Sequence, residues 1–225
     1  MFYGYVGRVK IVDQLGANET IEHWDRRHRQ LGALRSGGDA GYDEFSNEIF
    51  YAVRLGRLLD IIGDRTEYSA PLRILDAGCG KGWFAHSMAR FGHAIDGIDV
   101  SEHAIDLCRA NATGHSSFHL SPLADWQPPY LYDVVYSIDV LFHIMDDALW
   151  EASVLNLAAQ VRLGGLLLVV DHESDVDRTW SFYQRTRALH RYQSLLEPVG
   201  LQVDRFVPYG FRGAPTGFLV LQRVF

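Results

Sequence analysis

The sequence predicts a doubly wound α/β fold, a mostly parallel sheet finished by an antiparallel hairpin, on three observations. Short apolar runs alternate with helical segments from residue 73 onward, and that alternation builds a parallel sheet covered on both faces. A glycine-rich turn, Asp76-Ala77-Gly78-Cys79-Gly80-Lys81-Gly82, follows the first run, and an acid, Asp99, ends the second. The last two runs are joined by a short Gly/Pro connection, "GFRGAPTG", so they pair antiparallel.

Before residue 70 the pattern is helical. Ile21, Trp24, His28 and Leu31 recur at helical spacing and predict a helix over 18–35, with Asn18 or Thr20 as N-cap. "SGGDAGYD" reads as a loop. Phe45, Ile49, Ala52, Leu55 and Leu59 then mark the apolar face of a second helix that stops near Gly63. Residues 1–70 are thus expected to form a helical cap or lid, and 71–225 the core. In the core, strands are expected at 73–76, 94–98, 116–120, 132–138 and 165–171, and helices at 82–91, 102–111 and 147–162. A helix near 180–198 and strands near 201–208 and 216–224 complete the seven-stranded pattern. There is no internal repeat and no low-complexity tract.

Composition narrows the function. The 225 residues suit one large domain better than two. A formal net charge of −7 argues against a nucleic-acid binder, which usually carries a basic domain or stripe. Cys79 and Cys108 are too few for a disulfide framework or a thiolate zinc site. No apolar run approaches the roughly 18 residues of a membrane span, and "MFYGYVGRVKIVD" lacks the features of a secretory leader. A reduced, soluble, cytoplasmic protein is the expectation.

The glycine turn fails two phosphate-binding patterns on residue identity. The third glycine of a dinucleotide fingerprint would fall at Trp83, and Lys81 is followed by Gly82 rather than the Ser or Thr of a P-loop. Asp76 would repel a pyrophosphate and attract an ammonium. Glycines admit a close ligand, helix amides take a small carboxylate, and Asp99 is placed to accept from ribose hydroxyls. A ligand with a cationic amino-acid end, a carboxylate and a ribose matches S-adenosylmethionine.

With "ILDAGCGKG", "IDGIDVS", "YDVVYSIDVLFHI" and "VRLGGLLLVVD" in order, residues 73–171 resemble the core of a class I S-adenosylmethionine-dependent methyltransferase of the small-molecule type. The resemblance implies a Rossmann-like sheet with a C-terminal antiparallel hairpin, and S-adenosyl-L-homocysteine as product. It places Gly78, Gly80 and Gly82 around the methionine pocket, with Asp76 near its amino end. Asp99 falls on the ribose, Val100 on the adenine, Asp125-Trp126 at the adenine edge and Ser137 on the methionine side. "SPLADWQPP" departs from the commoner "GDA" pattern at the adenine edge.

Methyl transfer to a hydroxyl needs alignment and removal of a proton. His143, just past the fourth strand on the rim where open α/β sheets bind ligands, is the first candidate base, and His172 the second. A competing arrangement has Asp139, Asp171 and His172 at adjacent strand ends sharing a divalent metal; the leading reading needs none. Trp24, His28, Asp139, Trp180 and Tyr183 are candidates for the acceptor wall, and "SGGDAG" for a lid hinge. The expected acceptor is a small molecule, on an oxygen of a sugar, polyketide or similar metabolite, with N-methylation of a small amine as an alternative. A non-catalytic cofactor-binding regulator is a remoter one. Nucleic acid and membrane are not expected partners, and oligomeric state is not legible.

Overall fold

The computed structural model describes residues 15–39, 41–63 and 71–225. The leader reading at residues 1–13 and Ala40 of the proposed hinge lie outside the described residues. Among the described residues no helix is long and apolar enough to cross a membrane.

Seven strands form one sheet in the order β3-β2-β1-β4-β5-β9-β8. Strands β1 (Arg73–Ala77), β2 (Ala94–Asp99), β3 (Ser116–Leu120), β4 (Tyr132–Ser137) and β5 (Val161–His172) are parallel. The terminal β9 (Thr216–Arg223) runs antiparallel to both β5 and β8 (Leu201–Pro208). The chain steps outward from β1 to β3 and returns to β4 beside β1, a reversal that opens a crevice at the carboxyl ends of these two strands.

Alternation along the strands divides the core. Ile74, Tyr136, Leu168 and Val220 face one side, against α3 (Glu44–Gly63), α4 (Trp83–Arg90) and α5 (Glu102–Ala110). Leu75, Val135, Leu167 and Leu221 face the other, against α6 (Asp147–Ala159) and α7 (Leu189–Leu196). Both faces are dry, which is why the strands read as unbroken apolar runs.

The structure corrects four expectations. The helix expected at 18–35 is two, α1 (Ala17–Gln30) and the single turn α2 (Ala33–Ser36), because the chain turns extended at Leu31 and Gly32. The N-cap of α1 is Gly16, whose amide donates to the Glu19 carboxylate at 2.9 Å, rather than Asn18 or Thr20. The buried face of α3 is Ser46, Asn47, Phe50, Tyr51, Arg54, Leu58, Ile61 and Ile62, one residue round from the predicted stripe, so Phe45 is 69% exposed. The segment 180–186 is not helical: β6 (Arg178–Ser181) and β7 (Gln184–Thr186) make a hairpin with Phe182-Tyr183 at its tip, and α7 begins only at Leu189.

Candidate active site

A cavity of about 880 Å³ opens at the carboxyl end of the sheet, roofed by α1, the loop before α3 and the β6–β7 hairpin. Its floor is the glycine turn. The amides of Gly78 and Cys79 both donate to the Ile98 carbonyl (2.8 and 2.9 Å), which folds the turn against the end of β2. Gly78 has φ +87°, and a side chain there would enter the Val140 methyls; glycine satisfies both demands.

The acids behave differently. Asp99 lines the cavity and accepts from the amides of Gly80 (2.8 Å) and Ser101 (2.9 Å). Asp76 is only 2% exposed, lies below the turn outside the cavity lining, and accepts from the Tyr136 hydroxyl at 3.1 Å. Burial pushes its pKa up to about 7. Gly80, Val100 and Asp125 line the cavity; Gly82, Trp126 and Ser137 do not. The Trp126 indole donates to the Tyr132 hydroxyl (3.1 Å), and Ser137, fully buried, donates to the Ala77 carbonyl (2.9 Å), tying β4 to β1.

Asp139 is held at φ +56°, a backbone state that costs a non-glycine residue free energy. It forms an ion pair with Arg54 Nη1 and accepts from the Tyr209 hydroxyl at 3.2 Å. Arg54 itself is 1% exposed. Its guanidinium lies over the rings of Phe50 and Tyr51, at 4.1 and 4.2 Å, with Phe84 at 5.2 Å. Its Nη2 has no hydrogen-bond partner among the described residues, and the residue lines the cavity. An unpaired guanidinium nitrogen in a buried site is costly and calls for an anion. Sequence reasoning missed Arg54; the signal was an arginine within the apolar series Phe50, Tyr51, Leu58, Ile61, Ile62 on α3.

His143 also lines the cavity, and its Nδ1 lies 2.8 Å from the Tyr183 carbonyl oxygen. The imidazole stacks on the Tyr183 ring (5.5 Å, 18°), with Trp24 at 4.6 Å. Burial pushes its pKa down to about 4. His172 and Trp180 adjoin one another, centroids 5.3 Å apart, on the same cavity wall. His28 lines the same cavity beside Trp24, with its ring over Gly80 of the turn.

Asp139, Asp171 and His172 do not converge. Asp171 is fully buried outside the cavity lining, and its carboxylate accepts from the Tyr192 hydroxyl (2.7 Å) and the amides of His172 (2.7 Å) and Arg187 (3.1 Å). Asp139 is engaged by Arg54. Among the described residues no group of three His, Cys, Asp or Glu side chains is arranged to hold a metal.

This sheet order with a glycine turn below the switch point defines the Rossmann-like methyltransferase class. A family model described as "Methyltransferase domain" matches residues 21–205, and the chain belongs to that family, the S-adenosylmethionine-dependent methyltransferases. It is 28% identical over 167 residues to a ubiquinone biosynthesis O-methyltransferase of Maricaulis maris, 66% of this chain and 65% of that one. A protein of the same description from Nitrosomonas europaea is 32% identical over 120 residues, 50% of this chain and 47% of that one. The chain thus spans about half to two thirds of these curated relatives. Magnesium protoporphyrin IX methyltransferase of Synechocystis, solved with S-adenosylmethionine bound, has the same fold at 18% identity, with a TM-score of 0.71 over 91% of this chain and 97% of that one.

Proposed function

We propose that the protein transfers the methyl group of S-adenosylmethionine to an oxygen of a small, ring-bearing metabolite, with His143 as general base. When bound, the cofactor supplies a methyl already activated on a sulfonium. The residues fit it: Arg54 Nη2 lacks an anionic partner, which a methionine carboxylate provides, and Asp99 has acceptor capacity left for the ribose.

The observation that carries the base assignment is the bond between His143 Nδ1 and the Tyr183 carbonyl. A carbonyl only accepts, so Nδ1 holds the proton and Nε2 is left with its lone pair. The acceptor hydroxyl's proton would pass to Nε2 as the new O–C bond forms and the donor's S–C(methyl) bond breaks, leaving S-adenosylhomocysteine, and solvent would then take the proton from the imidazolium. Trp24 and Tyr183 both adjoin His143, so a ring-bearing acceptor would meet aromatic surface there.

The weakness of this base selects the acceptor further. An imidazole held near 4 takes a proton poorly, and Brønsted matching then favours an acidic hydroxyl. A phenol, near 10, meets that condition. This supports a phenolic or enolic ring of polyketide type over a sugar alcohol. Of the candidate bases, His172 has no backbone carbonyl fixing its tautomer among the described contacts.

Methyl-labelled S-adenosylmethionine incubated with the protein and a panel of phenols, sugars and small amines tests this. Label in phenolic methyl ethers is expected. Label confined to amines would replace O- by N-methylation, and label confined to sugars would remove the acidity argument. Cofactor binding with no transfer to any acceptor would favour a regulator.

A further inference from the structure

His28 is a cavity-lining residue of α1 to which the proposed methyl transfer gives no role. It is 4% exposed, lines the cavity, and its Nδ1 has no hydrogen-bond partner among the described residues. Its ring lies against the glycine turn: a Cβ built on Gly80 would meet His28 Cε1 at 3.3 Å and Nε2 at 3.8 Å. Asp99, whose carboxylate holds the Gly80 amide at 2.8 Å, is close enough for its charge to act on the imidazole.

Helix α1 is latched to the cofactor turn on both sides of His28. Asp25 accepts from the Ser101 hydroxyl (2.8 Å) and the His103 amide (3.2 Å), reaching the start of α5 just after Asp99. Lys81 Nζ, from the turn itself, donates to the Leu31 carbonyl at 2.8 Å. The ring is therefore carried to the turn by two independent contacts and then left with a buried nitrogen unsatisfied. A side chain present only to fill space would have no reason to carry that nitrogen, since orphaned buried polar atoms are disfavoured.

Resting on the assignment of the ribose to Asp99, we propose that His28 is a cofactor-binding residue whose Nδ1 accepts a hydrogen bond from a ribose hydroxyl of S-adenosylmethionine. Burial lowers the pKa of His28, so the ring is neutral and one nitrogen is an acceptor. Asp99 takes one hydroxyl of the diol and His28 the other. Because His28 belongs to α1, the cofactor also fastens the helix over the turn, and occupancy and closure become linked.

Calorimetric titration of the wild type, His28→Leu and His28→Asn with S-adenosylhomocysteine and with 5′-methylthioadenosine, which keeps the ribose and lacks the amino-acid end, tests this. The expected result is a loss of about tenfold or more in affinity for both ligands in His28→Leu, with partial recovery in His28→Asn, whose amide oxygen can accept near the position of Nδ1. The melting temperature of the ligand-free Leu variant should stay level or rise. Wild-type affinity for both ligands in His28→Leu would make His28 a packing residue, and a loss for S-adenosylhomocysteine alone would move its contact to the methionine end; either overturns the proposal. Failure of the wild type to bind either ligand would instead sink the cofactor assignment itself. If His28→Leu does not fold, the 15N shift of the wild-type His28 Nδ1 on adding S-adenosylhomocysteine decides. A displaced signal supports the bond, and an unmoved one overturns it.

Discussion

His143 Nδ1 and the Tyr183 carbonyl oxygen, forty residues apart in sequence, meet at 2.8 Å and fix which imidazole nitrogen is free to take a proton. The carbonyl arrives on the tip of the β6–β7 hairpin, so an element with no partner in the main sheet sets the tautomer of a residue just past β4. His143→Ala should lower kcat by about 10² or more while leaving cofactor affinity unchanged. The folded pKa, about 4, lies below the ordinary 6.5. The neutral base therefore persists as pH falls through 6.5, and its acidic limb in kcat/KM belongs near 4. A limb near 6.5 that vanishes in His143→Ala would show the ring to be solvated and the tautomer unfixed. The same depression makes His143 stabilising above 6.5, with that contribution lost as pH falls toward 4.

Arg54 pairs with Asp139, and its proposed contact with the cofactor carboxylate can be separated from that pairing. Arg54→Met leaves the Asp139 carboxylate without its cation, a change that costs about 3 kcal/mol in a buried pair, and the melting temperature should drop. Adding Asp139→Asn removes the orphaned charge and should restore most of the loss. Affinity for S-adenosylhomocysteine should remain weakened in both variants, while that for 5′-methylthioadenosine, which has no carboxylate, should hold. Equal weakening for the two ligands would mean that Arg54 shapes the cavity without meeting the carboxylate.

The same carboxylates decide the metal question. Asp139 is committed to Arg54 and Tyr209, and Asp171 to Tyr192 and two backbone amides. Recruiting either to a cation would break a buried network. Methyl transfer should therefore proceed undiminished in excess EDTA, and Asp171→Asn should lower the melting temperature more than the rate. Loss of turnover on chelation, recovered by adding back magnesium, would contradict this.

The core was legible because its two signals are local: apolar runs for buried parallel strands, and glycines where the turn needs positive φ. The α3 face was not, since periodicity counts apolar residues and the buried stripe holds Ser46, Asn47 and Arg54. Those residues are inside because hydrogen-bonding partners satisfy them, from the loop just before the helix for Asn47 and from beyond β4 for Arg54. Asn47 donates to the Asp39, Tyr42 and Asp43 carbonyls, and Arg54 meets Asp139. The hairpin reads as helix in the sequence because no Gly or Asn marks its Phe182-Tyr183 tip; the β-branched and aromatic residues of "RTWSFYQRT" are the clue it offers. In both places the unreadable part includes a cavity-lining residue, Arg54 and Tyr183, whose partners come from elsewhere in the fold.

Asp76 opens the cofactor turn, and its charge state distinguishes two ways in which that turn can work. Exposed, it would attract a cationic amino-acid end directly; buried beside Tyr136, it holds its proton up to near neutral pH. Its folded pKa of about 7 stands above the unfolded 3.8, so between these values the folded state binds the extra proton. Its contribution to stability is thus fully present below 3.8 and is lost as pH rises through 7. Asparagine in its place cannot ionise. The melting temperature of Asp76→Asn minus that of the wild type should therefore climb from pH 4 to pH 7 and level off above it. Other titrating groups are shared by both proteins and cancel in the difference. A difference that stays flat over this window would show Asp76 ionised within the fold, and would return to it the direct attraction for an ammonium that burial removes.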